Sequence, residues 1–272
     1  MSLETVRALA EQHGKDFALV VNHSGGKDSQ RMLGYIREHF PEVKTYVVMA
    51  DTGFEHAAPV SAEEFARESS ARYGLELHVV RNPNKTYLEM VERRGMFPSS
   101  TTRQCTSDLK RGPIEKFIRH LPERHIVNCT GIRASESSAR AKQEPWKRND
   151  GLSKAGREVF NWMPIFALSL RDVLSWHWET GTPLHPVYVS EYHQGGAGNG
   201  WLKRLSCRVC IFSTDADLKN IAARDPEAFA LVANLEQRIG FTMRSGKSLF
   251  EIIGQEQTSS QQYGFEDFSP CI

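Results

Sequence analysis

The sequence predicts an α/β fold: a doubly wound, mostly parallel sheet with helices on both faces, plus a small helical C-terminal extension. Three observations carry this. Short apolar segments with β-branched residues alternate with segments of helical periodicity. The first apolar segment runs directly into Ser24-Gly25-Gly26-Lys27-Asp28-Ser29 and then into a helical pattern. A second polar turn, Asp51-Thr52-Gly53, follows the second apolar segment. In a parallel sheet both turns open on the same carboxyl edge.

Phe17–Asn22 reads as the first strand, and Ser29–His39 as a helix ended near Pro41. Thr45–Ala50 reads as a strand, Pro59–Tyr73 as a helix, and Glu76–Val80 as a strand after Gly74. Thr86–Arg94 and Thr106–His120 read as helices, the second with Leu109, Ile114, Phe117 and Ile118 at helical spacing and Pro113 in or near a first turn. His125–Cys129 is a further strand. Residues 141–157 read as a polar loop whose cations are Lys142, Lys147, Arg148, Lys154 and Arg157. That loop is either a functional lid or a solvated surface. Val159–Phe166 reads as a strand and Leu170–Glu179 as a helix. Gly195–Gly200 reads as a flexible loop, Leu218–Ile239 as a helix broken or kinked near Pro226, and Gln255–Tyr263 as a polar tail. Residues 1–215 are expected to form a nucleotide-binding domain and 216–272 a helical extension with a tail.

A chain of 272 residues with 40% hydrophobic content can bury a core, and 25% charged content is ordinary. The formal net charge of +1 gives no global field towards nucleic acid or membrane. No apolar run approaches the ~18 residues a membrane span needs. Met1–Lys15 is polar and mixed in charge and does not read as a signal peptide. The expected location is the cytoplasm. Five cysteines there argue against a disulfide framework and for metal, redox or buried thiols.

The glycine turn suits a phosphate. Gly25 and Gly26 free the backbone N–H groups, the following helix presents its positive end, Ser24 and Ser29 add hydroxyls, and Lys27 adds charge. Asp51 suits a ribose hydroxyl, an adenine amine or a metal-bound water, with a plain Asp turn as the alternative. Gly131-Ile132-Arg133-Ala134-Ser135-Glu136-Ser137-Ser138-Ala139-Arg140 carries two guanidinium forks suited to phosphate or sulfate. The alternative is a helix with surface ion pairs. Cys207-x-x-Cys210 converges on one centre as a metal pair, a redox pair or half a zinc site, and Cys105 offers a third thiolate. Cys129, inside an apolar strand, reads as an inert buried thiol.

Taken in order, these residues resemble the phosphoadenosine-phosphosulfate (PAPS) reductase family of PP-loop enzymes. The order is Ser24–Ser29, Asp51-Thr52-Gly53, Cys105 with Lys110 and Pro113, Gly131 to Arg140, Pro164-Ile165, Tyr188, then Cys207 and Cys210. The likeness covers roughly residues 15–215 and implies an adenine-nucleotide α-hydrolase-like fold. It further implies that Ser24–Ser29 hold the phosphates or sulfate, with Lys27 and Asp28 in the catalytic set. Asp51, Thr52 and Gly53 would lie beside the nucleotide, and Gly131, Arg133 and Arg140 against its anionic groups. Cys105, Cys207 and Cys210 match ligands of a four-iron iron–sulfur cluster. Two departures stand out. Gln104 precedes Cys105 where cluster-bearing reductases have a second cysteine, so the fourth ligand is open, Cys271 among the candidates. The reductases' C-terminal Glu-Cys-Gly-Leu-His segment is absent, although Cys271 stands in the tail as a candidate sulfur nucleophile.

Three functions follow from the resemblance. A sulfonucleotide reductase would release sulfite with a thioredoxin-type reductant. An ATP pyrophosphatase-type enzyme would use Mg²⁺ and insert sulfur, drawn from a cysteine desulfurase, into nucleic acid as in DNA phosphorothioation. A non-catalytic iron–sulfur subunit would bind nucleotide without turnover. No membrane partner is expected, and an oligomer is compatible with the sequence.

Overall fold

The computed structural model describes residues 3–57, 60–188 and 200–254. The backbone divides into two compact units, residues 1–87 with 104–207, and residues 88–103 with 208–272.

In the first unit the described residues build a six-stranded sheet in the order β3-β2-β1-β4-β6-β5. Strand β1 (Phe17–Asn22) pairs in parallel with β2 (Thr45–Asp51) and with β4 (His125–Cys129). Strand β3 (Leu77–Arg81) pairs with β2, and β6 (Glu158–Trp162) with β4, both in parallel. Phe17 to Val21 are all buried, as a central parallel strand covered on both faces requires. The order reverses between β1 and β4, so the crevice beyond their carboxyl ends is where such a sheet binds ligands. Three asparagines cross this region of the sheet: Asn22 donates to Asn128, and Asn128 donates to Asn161.

Residues 141–157 are not wholly loop. Trp146–Arg148 forms β5, antiparallel to β6, with Trp146 opposite Trp162 and its ring stacked 4.9 Å from Phe160. Three residues are too few to display a period of two. Three of the segment's cations are engaged internally. Arg157 donates to the carbonyls of Ile118 and Leu121, Arg148 pairs with Asp150, and Lys147 pairs with Glu144.

Helix α1 (Leu3–His13), not read from the sequence, has Val6 as its one buried residue. Helix α2 (Lys27–His39) follows the glycine turn. Helix α3 (Ala62–Ala71) starts at the Ser61–Glu64 capping box rather than at Pro59, which lies outside the described residues. Helix α4 (Tyr87–Arg94) matches its reading within a residue. The segment read as one helix over Thr106–His120 is a short α5 (Gln104–Thr106), one π-helical turn (Ser107–Arg111), and α6 (Gly112–His120). Pro113 lies in the first turn of α6, where its missing N–H costs nothing. Ile118 joins Val20, Val48, Ile126 and Val159 in the core, with Ile114 and Phe117 packed against them. Each such aliphatic contributes roughly 1.5–3 kcal/mol on full burial. Short α7 (Ser138–Ala141) precedes β5, and α8 (Leu170–Thr180) runs from the Ser169–Asp172 capping box to Gly181 at φ 64°.

The second unit contains most of α4 and, after Arg208, three further helices among the described residues. Asp225 separates α9 (Asp215–Arg224) from α10 (Pro226–Ile239), and α11 (Leu249–Ile253) follows. The break expected near Pro226 is therefore a corner between two helices. No helix among the described residues is long and apolar enough to cross a membrane. Gly195–Asn199 of the glycine loop, the tail from Gln255 and Cys271 lie outside the described residues.

Candidate active site

The turn between β1 and α2 is held from many directions. Gly25 has φ 73°, and a Cβ there would stand 2.8 Å from the Ala62 carbonyl, so only glycine fits without strain. Gly26 caps α2 without a side-chain bond. The Ser29 hydroxyl donates to the Gly26 carbonyl at 2.8 Å and accepts from Ser24 N–H at 3.2 Å. His23 Nδ1 accepts from Gly25 N–H at 3.0 Å, which puts the ring proton on Nε2. Burial pulls the His23 pKa down to about 3, so the ring is neutral. The Tyr188 hydroxyl accepts from Lys27 N–H at 2.9 Å, and burial pushes that phenol well above its ordinary pKa. Three loop N–H groups, those of Ser24, Gly25 and Lys27, are thus used internally. Among the described residues, those of Gly26, Asp28 and Ser29 are the donors left for an anion at the helix start.

Two cations converge on Asp28. Arg133 Nε lies 2.6 Å from Oδ1, and Lys27 Nζ 3.4 Å from Oδ2, with both cationic side chains under a tenth exposed. Burial lowers the Lys27 pKa, and Asp28 offsets part of that. Lys27 also sits 4.7 Å from the centre of the Tyr188 ring. Arg133 is fixed in turn by Nη1 donating to Ser135 Oγ at 2.8 Å and by its N–H donating to Glu136. It is therefore a buried member of the loop's charge cluster, not a surface ion pair. Arg140 does take the ion-pair alternative, with Glu136 one turn away. Gly131 stands between these elements: a Cβ would lie 3.2 Å from the Asp28 carbonyl oxygen. The loop after β4 thereby meets the start of α2 at the reversal of strand order.

Asp51 closes its own turn, accepting from Gly53 N–H at 2.7 Å and pairing with Arg81 at 3.1 Å. Sequence reasoning missed Glu55. Its Oε2 accepts from Thr52 N–H, the Thr52 hydroxyl and Phe54 N–H, and so shapes the turn that presents Asp51. A carboxylate three residues after Thr52 was the available signal.

The cysteines are dispersed in role. Cys105 lies in α5, beside an Asp108 that accepts from Lys85 at 2.6 Å, Gln104 at 3.0 Å and Ser107 at 2.8 Å. The Gln104 amide, standing where a second thiolate was expected, is thus committed to Asp108. Cys207 is buried and its backbone pairs with Glu55. Between Cys207 and Cys210, Arg208 forks onto Asp225 at 2.7 and 2.9 Å, anchoring the segment to the α9–α10 corner. Cys129 is buried, and burial pushes its thiol pKa up, which fits an inert thiol. Among the described residues no three His, Cys, Asp or Glu side chains gather closely enough to hold a metal ion.

The family model for the phosphoadenosine phosphosulfate reductase domain matches residues 18–201, well over half of the chain and all of the loop described above. The chain belongs to the PAPS reductase domain family. Among curated proteins, an uncharacterised 37.8 kDa protein of Escherichia phage 186 is 27% identical over 85% of this chain and 78% of its own length. Among solved structures, the PAPS reductase of Candida auris, in a phosphate complex, is 16% identical with a TM-score of 0.44, covering 68% of this chain and 82% of that one. The tRNA thiolase NcsA of Methanococcus maripaludis, solved with its 4Fe-4S cluster, is 14% identical with a TM-score of 0.45, covering 94% of this chain and 88% of that one.

Proposed function

We propose that this protein holds a sulfonucleotide, PAPS or adenylyl sulfate, on the Ser24–Ser29 loop and releases sulfite from it. The observation that carries this reading is the engagement of Asp28. Each of its oxygens faces a cation, Arg133 on one side and Lys27 on the other. What the loop then offers is N–H donors and two buried cations, a receptor for anionic oxygen. In this reading Gly26, Asp28 and Ser29 N–H with Lys27 and Arg133 bind the phosphate and sulfate oxygens. Gly131 leaves them room, Asp51, Thr52 and Gly53 lie along the nucleotide, and Arg140 answers its outer charge.

The Cys271 thiolate would attack the sulfur. An S–S bond forms, the bond from sulfur to the bridging phosphate oxygen breaks, and the nucleotide leaves as its phosphate. A thioredoxin-type dithiol then attacks the S-sulfocysteine, ends as a disulfide, and frees sulfite and the thiolate. Cys271 lies outside the described residues and enters here through its chemistry alone. An ATP pyrophosphatase-type reaction would place Mg²⁺ beside Asp28, and the engagement of that carboxylate by Arg133 and Lys27 disfavours it.

The test is product analysis. Sulfite formed from PAPS or adenylyl sulfate with a dithiol reductant, and lost in Cys271→Ser and Lys27→Met, supports the reading. Pyrophosphate from ATP without sulfite from either sulfonucleotide overturns it, and tight nucleotide binding without turnover marks a non-catalytic subunit.

A further inference from the structure

His177, on α8, touches the loop at the Lys27 carbonyl. Its Nε2 lies 3.0 Å from the carbonyl oxygen of Lys27, and its Nδ1 lies 3.0 Å from the carbonyl oxygen of Thr182. A carbonyl only accepts, so each contact needs an N–H on the ring nitrogen that faces it. Neutral imidazole has one such group. It satisfies one carbonyl and turns a lone pair towards the other. Only the imidazolium makes both bonds.

His177 is 2% exposed, so water has little access to the ring nitrogens. Burial holds the His177 pKa below its ordinary value and Lys27 adds to that, while the two carbonyls and Asp28 act the other way. The charged groups facing it are Lys27 and Asp28 at the start of α2. Arg133 reaches it only through Asp28, and Arg31 lies over the neighbouring Trp176 ring. The balance is between a geometry that asks for a cation and a dry surrounding that, with the Lys27 charge, resists one.

An anion on the loop shifts this balance. It lies at the N-terminus of α2 and offsets the Lys27 charge, which opposes protonation of the ring. We infer that binding of a phosphate or sulfate group on the Ser24–Ser29 loop makes His177 take up one proton from solvent, forming an imidazolium that bridges the Lys27 and Thr182 carbonyls. One N–H bond forms on the ring as the proton leaves a solvent hydronium ion or buffer acid, and no bond within the protein breaks. Tyr188 already holds the Lys27 N–H, so proton uptake fixes the same residue from its carbonyl side as well. His177 is a positioning residue that acts through Lys27. The inference rests on the reading of this loop as the anion site and adds proton linkage to it.

Between the pKa values of His177 in the free and the liganded protein, the dissociation constant falls about tenfold per pH unit as the pH is lowered, and it is flat outside that window. The experiment is calorimetric titration of the full chain, in a Cys271→Ser background that prevents turnover. The probe is adenylyl sulfate, whose phosphate and sulfate do not titrate near neutrality. Run in buffers of different ionisation enthalpy, binding should show net uptake of up to one proton, and His177→Gln should bind without it. Ring-labelled histidine spectra of the same chain should show one histidine moving from neutral to imidazolium on ligand addition, a readout that needs no His177 variant. Binding without uptake, uptake that persists in His177→Gln, or histidine signals unmoved by the ligand would each overturn the inference while leaving the loop reading intact. Absence of any binding refutes the loop reading, and the inference with it.

Discussion

Arg133 reaches from the loop after β4 to place its Nε 2.6 Å from Asp28 Oδ1 at the start of α2, joining the two elements that flank the reversal of strand order. The contact is charge-assisted and part-buried, and the fork has a second use, since Nη1 holds Ser135. Lysine keeps the charge but loses the fork. Arg133→Lys should therefore weaken adenylyl sulfate binding about tenfold, or ~1.4 kcal/mol, in calorimetric titration. Equal affinity in the two proteins would remove Arg133 from the anion site.

The glycines of the site separate stability from affinity. At Gly131 an added methyl meets the Asp28 carbonyl carbon and oxygen and the Ser29 nitrogen at 3.2–3.4 Å, all backbone of the first turn of α2. Gly131→Ala should displace that turn and lower affinity more than thermal stability. At Gly25 both the positive φ and the 2.8 Å approach to Ala62 oppose a side chain. Gly25→Ala should cost roughly 1–3 kcal/mol of stability by denaturant unfolding, as well as affinity. A Gly131→Ala protein with full affinity would show that the two loops do not act together.

Away from the site, Gly34 packs against α8. A methyl there would overlap the six-membered ring of Trp176, which cannot swing aside freely because its Nε1 donates to Glu38 at 2.9 Å. Gly34→Ala should destabilise by ~1–3 kcal/mol despite the better helix propensity of alanine. An unchanged melting temperature would contradict the packing described.

Asp108 gives a pH signature. Its hydrogen bond from Lys85 is the largest cause holding its carboxyl below the ordinary range, aided by Ser107 and Gln104. A lowered carboxyl pKa stabilises the fold above the unfolded value of about 3.9, and that contribution is lost as the pH falls through the folded value. The stability gap between the parent and Asp108→Asn, about 1 kcal/mol, should be constant near neutrality and close only below about pH 4. A gap that opens in acid would have the wrong sign.

The sequence was informative where local patterns are unambiguous. Strands β1 and β4 appear at their read boundaries because their apolar runs are short and bounded by polar turns. The glycine turn was readable because its glycines and the following helix are contiguous. Strand β5 was missed for its three residues, and α1 for a face that buries little. Partnerships across the fold were out of reach. Nothing in the spacing tells that Arg133 meets Asp28 across 105 positions, or that His177 meets Lys27 across 150.

The central claim is that Ser24–Ser29 with Arg133 is an anion receptor for a sulfonucleotide. The most direct measurement is binding of adenylyl sulfate and PAPS to the full chain beside Lys27→Met and Arg133→Ala, each checked for an unchanged fold by circular dichroism. The account predicts saturable binding to the parent and at least a tenfold loss in both variants, the size expected for removing a buried charge from an anion site. Binding that survives both substitutions, or no binding to the parent, would contradict it.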